Sequence, residues 1–244
     1  MYSNMAVIYD DLMDNVDYKR WHLYIESIFN RFHKKPKSIL EMACGTGNLS
    51  YYLARNGYNL LCFDISPEML SIAYNKLQGF DNATLIEQDM VGFNMNKEFD
   101  AIISACDGIN YILKKEDLLK VFKNVKDHLS EDGIFIFDIS SYYKLKHIIG
   151  NNTFIEDRGT IYYVWQNYFN NENNIVEFYL TFFMLDKHGG YKRLNEEHLQ
   201  KAYKAEEITE LLQEAGFNRI YYFDEFSFNR PIRETERIHF VALN

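Results

Sequence analysis

The sequence predicts an α/β domain, doubly wound around a mostly parallel sheet, with an antiparallel β cap inserted into it. Three observations carry that prediction. Apolar β-type runs alternate with segments of helical period from Ser38 to Phe137, a Gly-containing turn follows the first run, and after Tyr143 the chain becomes β-rich and aromatic before the alternation resumes at Glu206.

Taken in order, Trp21, Ile25, Ile28, Phe29 and Phe32 fall at helical spacing, so a helix over 18–32 precedes the first strand and runs into the basic stretch His33-Lys34-Lys35-Pro36. From Ser38 the segment SILEMACGTGNLSYYLARNG reads as a buried strand, a turn and a helix that stops at Asn56-Gly57. The next unit, YNLLCFDISPEMLSIAYNKLQ, repeats the arrangement, with Ser66 as helix cap, Pro67 at the first helical position and Met69, Leu70, Ala73 and Leu77 on one face. Further strands are expected at 83–88, 101–106 and 134–139, with the helix of Leu118, Leu119, Phe122, Val125 and Leu129 before the last. The nearly continuous apolar run IFIFDI suits a central strand covered on both faces. A helix over EEITELLQEAG and closing strands at 217–226 and 237–243 complete seven strand candidates.

Between them, RGTIYYVWQNYFN, IVEFYLTFFMLD and YKRLNEEHLQKAY are separated by the turn-forming Asn171-Glu172-Asn173-Asn174 and His188-Gly189-Gly190. They read as an antiparallel meander. Val176, Phe178, Leu180, Phe182 and Met184 share one face and Glu177, Tyr179, Thr181 and Phe183 the other, so that one face packs and the other is available to line a pocket. The expected division is therefore a main domain of residues 1–150 and 204–244, with residues 151–203 as a cap on the substrate side.

The chain has 244 residues, 47% of them apolar, enough for one substantial core. A net charge of −9 gives nothing to counterion release on a polyanion, so neither a nucleic-acid partner nor an anionic membrane surface is expected. Cys44, Cys62 and Cys106 form an odd set without a C-x-x-C pair, which argues against a disulfide framework or zinc knuckle and for a reducing, cytoplasmic setting. The amino terminus turns acidic before any signal-type apolar stretch forms, and no apolar run approaches the ~18 residues a membrane span needs.

The chemistry concentrates in Glu41-Met42-Ala43-Cys44-Gly45-Thr46-Gly47 at the end of the first strand, followed by Asp64 at the end of the second. Glycines there admit a ligand close to the backbone, and a carboxylate after the second strand can hold a ribose diol, so a nucleoside-containing ligand is expected. A dinucleotide and S-adenosylmethionine compete. The G-x-G-x-x-G spacing fails, because Ser50 stands three residues after Gly47, and Glu41 would repel a pyrophosphate while favouring a cation.

These residues resemble the first motif of class I S-adenosylmethionine-dependent methyltransferases, an acidic residue followed by glycines at alternate positions. Glu41, Gly45 and Gly47 match, and Ala43 stands where many members have the first glycine. The likeness runs from about residue 38 to 137 and again from 206 to 244. The Glu-Glu-His-x-x-x-x-Tyr-x-x-Glu-Glu-Ile pattern at 196–208 is similar to small-molecule members, including sugar N,N-dimethyltransferases, which carry a β-rich insertion at this place.

The resemblance implies a seven-stranded Rossmann-like sheet and a cofactor site built from several strand ends. Asp64 and Ile65 would meet ribose and adenine, Asp89 and Met90 the adenine edge, Cys44 the turn, Met69 the following helix, and Cys106 with its neighbours the methionine end. Tyr9, Tyr18 and Trp21 would fold over the cofactor as a lid, although Trp21 also falls on an apolar stripe that suits core packing. The implied reaction is in-line displacement of the sulfonium methyl by nitrogen or oxygen of a small acceptor. S-adenosylhomocysteine then leaves, and no metal is required. His198 and Asp107 are the candidate proton acceptors. An RNA or protein methyltransferase and a non-catalytic S-adenosylmethionine-binding regulatory subunit stay open as alternatives, as does a homodimer.

Overall fold

In the computed structural model, which describes residues 5–244, the seven strands form one sheet. Strands β1 (Ser38–Met42), β2 (Asn59–Asp64), β3 (Ala83–Glu87), β4 (Phe99–Ser104) and β5 (Leu129–Ser140) run parallel. A second, four-stranded antiparallel sheet follows, with β6 (Thr153–Asp157), β7 (Ile161–Asn170), β8 (Ile175–Leu185) and β9 (Tyr191–Lys201). The chain then returns to the first sheet with β10 (Arg219–Asp224) and β11 (Arg237–Leu243), giving the order β10-β11-β5-β4-β1-β2-β3 with β11 antiparallel to both neighbours. The expected doubly wound sheet with an inserted antiparallel cap is the architecture found.

Alternation along the strands assigns the two cores. Ile39, Ala101, Ile103, Ile134, Ile136 and Val241 point to the face covered by α2 (Tyr18–Arg31) and α3 (Asn48–Arg55), which also takes Leu77 of α4 (Pro67–Leu77). Leu40, Ile102, Phe135, Phe137 and Phe240 point to the other, covered by α5 (Lys115–His128) and α6 (Ala205–Glu214). Ser66 caps α4 through the Met69 N–H, with Pro67 opening the helix. Among the described residues no helix is long and apolar enough to cross a membrane.

Four features depart from the sequence expectations. Helix α1 (Ala6–Leu12) has no side-chain cap and owes its place to tertiary contacts: Met5 and Ile8 pack on Ile161 and Phe182 of the cap. The cap has four strands and not three, because the short edge strand β6 gains its order by pairing with β7 rather than from its own pattern. Residues 144–149 form a π-helix, a rare turn that local propensity does not signal. Strand β4 ends at Ser104, two residues before its expected end, because Cys106 and Asp107 both adopt left-handed backbone with φ of 60° and 56°.

Candidate active site

All five parallel strands deliver their carboxyl ends to one edge of the sheet, and the turns there surround three adjoining cavities of about 340, 130 and 260 Å³. Tyr111 lines all three. Ala43, Asp64, Ile65 and Met90 are shared by the first two, and Tyr9 and Cys106 by the last two, so a cleft runs continuously from the β2–β3 edge to a chamber beneath the cap.

The central cavity is built by the turn after β1. Gly45 (φ 55°) has open space where a side chain would begin, and Gly47 (φ 76°) leads into α3 where a Cβ would press on Ala73 at 3.0 Å. Ala43 also lies in the left-handed region, φ 52°, which explains why glycine suits this position better. Its methyl is accommodated because residue 108 is glycine, where a Cβ would sit 3.2 Å away. Glu41 is buried at the base of this turn and accepts from Cys62 Sγ at 3.6 Å. Burial pushes its carboxyl up to about 7, with the Ser50 and Cys62 hydrogen bonds opposing and the Asp64 charge adding to the shift.

Asp64 stands at the end of β2, its Oδ2 accepting from the Gly45 N–H and its Oδ1 from the Ser66 N–H, both at 2.9 Å. These bonds tie the two turns together and fix the carboxylate at the mouth. Burial still raises its pKa, with the backbone donors pulling the other way. Beside it Ile65 is 55% exposed, an apolar side chain held out at the rim of the first cavity, with Met90 behind it and Asp89 at the edge. Asp89 also caps the turn that follows β3, accepting from the Val91 N–H at 2.9 Å.

Helix α1 lies across the cleft. Asp10 accepts from Thr46 Oγ1 (2.7 Å) and Asn48 Nδ2 (2.9 Å) and pairs with Lys76 (2.6 Å), while Arg158 of the cap binds the Asp11 carbonyl and Asp14. Helix α1 is thus tied to the glycine turn on one side and to the cap on the other.

Each of the other candidates also has a definite position. Tyr9, Cys44, Met69 and Cys106 line the central cavity. Trp21 is not brought to any of the three. It is 4% exposed in the core under α2, edge-on to Phe226 and His239, with the Arg237 guanidinium over its ring. His198 on β9 lines the chamber, edge-on to Tyr111, and burial holds its imidazole below the usual range. Asp107 lines the chamber as well, but it is a member of a network: Oδ2 accepts from Gln200 Nε2 at 2.8 Å and Oδ1 from Arg237 at 3.1 Å, and Arg237 also binds the fully buried Asp138.

The contacts that place Asp10, Gln200 and Arg237 come from elements remote in sequence, and no local pattern singles them out. Arg237 was legible only as part of the last strand.

Residues 39–133 match the family described as methyltransferase domain. An S-adenosylmethionine-dependent methyltransferase from Clostridium acetobutylicum ATCC 824, known from its crystal structure, is 40% identical, with 99% of this chain and 98% of that one covered and a TM-score of 0.90. YqeM of Bacillus subtilis (strain 168), named only provisionally as a methyltransferase, is 32% identical over 99% of this chain and 96% of its own. The dTDP-3-amino-3,4,6-trideoxy-α-D-glucopyranose N,N-dimethyltransferase of Streptomyces venezuelae is 26% identical over 43% of each chain. With a glycine turn after β1 and carboxylates at the ends of β1 and β2 in a sheet of this topology, and with these similarities along its whole length, the chain belongs to the S-adenosylmethionine-dependent methyltransferases.

Proposed function

We propose that the enzyme methylates nitrogen or oxygen of a small-molecule acceptor held in the chamber beneath the cap. The observation that carries this reading is the size and lining of that chamber: about 260 Å³, it meets the cofactor cleft at Tyr9, Cys106 and Tyr111 and is walled by α1 and by one face of the antiparallel sheet, a volume on the scale of a small molecule. The similarity to an amino-sugar N,N-dimethyltransferase is compatible with an amine acceptor.

S-adenosylmethionine, when bound, supplies a methyl already activated on sulfonium. The protein's part is to hold, align and dry the reactants. Asp64 would take the ribose hydroxyls, Ile65 and Met90 the adenine faces and Asp89 its edge. Cys44 and Gly45 would form the floor, Gly47 would hold the turn that carries them, and Met69, Ala43 and Cys106 would form the walls. Glu41 would face the methionine ammonium. Lid helix α1, carrying Tyr9, excludes water from above. His198, kept neutral by its burial, would accept the acceptor's proton, and Asp107 would orient the reacting group.

Glu41 gives a measurable consequence. Its pKa of about 7 in the free protein must fall when a cation is held beside it, so cofactor binding at pH 6.5 releases a proton and affinity rises as pH climbs through 7. Calorimetry in buffers of different ionisation enthalpy reads that proton directly. No release at pH 6.5 would remove Glu41 from the ammonium site.

The acceptor class is tested by incubating the enzyme with methyl-labelled cofactor and separated fractions of a cell extract. Label is expected in the low-molecular-weight fraction. Incorporation confined to RNA or protein would overturn the reading, and cofactor binding without transfer to any fraction would favour a regulatory role.

A further inference from the structure

The chamber wall contains one feature that methyl transfer itself does not call for. Lys144 opens the π-helix of residues 144–149, whose Leu145 and Ile149 are buried in the small core beneath the cap, so that the turn is anchored and Lys144 lines the chamber. Its ammonium takes part in none of the ion pairs among the described residues, whereas the other strong cation of the chamber, Arg237, is shared between Asp107 and Asp138. In a chain with 35 acidic and 26 basic residues, carboxylates to pair with it are in surplus. Lys144 is half-buried and shares the chamber wall with Ile149, Trp165 and Phe178, so an anion entering the chamber would gain a charge-assisted partner in largely apolar surroundings. Lys144 lines the chamber but not the cofactor cleft, while Asp107 is next in sequence to Cys106, which lines both. The wall therefore offers a cation in the body of the chamber and a carboxylate beside the point of transfer, with apolar and aromatic surface around them.

We infer that the acceptor carries an anionic group, carboxylate or phosphate, which pairs with Lys144 while its nucleophilic end lies near Asp107, and that Lys144 determines specificity. This rests on the reading of the chamber as the acceptor site.

The test uses the full-length protein saturated with S-adenosylhomocysteine and three probes of similar shape: benzoate, phenyl phosphate and the neutral benzamide. Binding is followed by Trp fluorescence and ligand-observed NMR. At least one anion should bind about tenfold or more tightly than benzamide, the strength expected of a charge-assisted contact. Preference for benzoate or for phenyl phosphate identifies the group as carboxylate or phosphate. Lys144→Met should abolish the preference and Lys144→Arg should retain it, with S-adenosylhomocysteine affinity unchanged in both. Equal binding of all three probes, or an anion preference that survives Lys144→Met, would overturn the inference while leaving the methyltransferase reading intact. Failure of S-adenosylhomocysteine to bind the wild-type protein would strike the underlying reading instead.

Discussion

Replacing Arg237 by methionine is expected to destabilise the protein by about 3–5 kcal/mol, the range found when one partner of a buried ion pair is removed. The side chain is mostly buried, with Asp138 fully buried and Asp107 partly exposed as its partners, and Glu225 lies 3.8 Å from its Nε. Burial raises the Asp138 pKa and the guanidinium holds it down, so without Arg237 it must rise further. The sign of the pH effect follows. A carboxyl whose folded pKa exceeds its unfolded value binds more protons when folded, so stability falls as pH rises between the two values. In the variant that window extends upward, and the loss relative to wild type should shrink between pH 8 and pH 5. Asp138→Asn placed on top of Arg237→Met should recover much of the loss, because it removes the charge left buried. Urea denaturation at the two pH values measures all three. A loss independent of pH and not relieved by the second substitution would show that Arg237 acts only by packing over Trp21.

The same cluster explains a backbone cost. Two consecutive non-glycine residues, Cys106 and Asp107, are left-handed at the junction of cleft and chamber, a conformation that costs roughly 1–2 kcal/mol per residue. Asp138 accepts the Asp107 N–H at 3.0 Å while Arg237 grips both carboxylates, so the network holds a turn that the local sequence disfavours. Loss of Arg237 should therefore also weaken cofactor binding, through Cys106.

That strained turn marks where the sequence stopped being readable. Strands such as IFIFDI and helices such as the one opened by Ser66-Pro67 announce themselves because period and capping are local properties, and the carboxylates proposed for the cofactor, Glu41, Asp64 and Asp89, lie at or near the ends of β1, β2 and β3. Trp21 shows the limit of that reasoning. An aromatic residue near the amino terminus serves equally as lid or core, and only the approach of β11, with His239 and Arg237, decides for the core. Asp10 was hidden for the converse reason: on a seven-residue helix without a side-chain cap, its three partners come from residues 46, 48 and 76. Non-local contacts also account for β6 and the π-helix.

The second large effect is expected at His198. With Ala in its place, kcat on the identified acceptor should fall by about 100-fold or more, the lower bound for losing a positioned general base, with the cofactor Kd unchanged because His198 lines the chamber and not the cofactor cleft. A structural role would lower kcat as well, so the pH profile is the deciding measurement. Burial holds the imidazole below its ordinary value, with Glu196 opposing, so wild-type kcat at saturating cofactor should stay level through neutral pH and fall only on the acid side of the usual histidine range. In His198→Ala that acid limb should vanish, and added imidazole should restore part of the rate. Asp107→Asn should behave differently. Its carboxylate already accepts from Gln200 and Arg237, so the change alters a positioning contact and should appear mainly as a higher KM for the acceptor, with the acid limb kept. Should the limb follow Asp107 instead, the proton goes to the sheet side of the chamber and His198 serves only as wall; should it survive both substitutions, neither side chain takes the proton, and the acceptor must arrive already deprotonated.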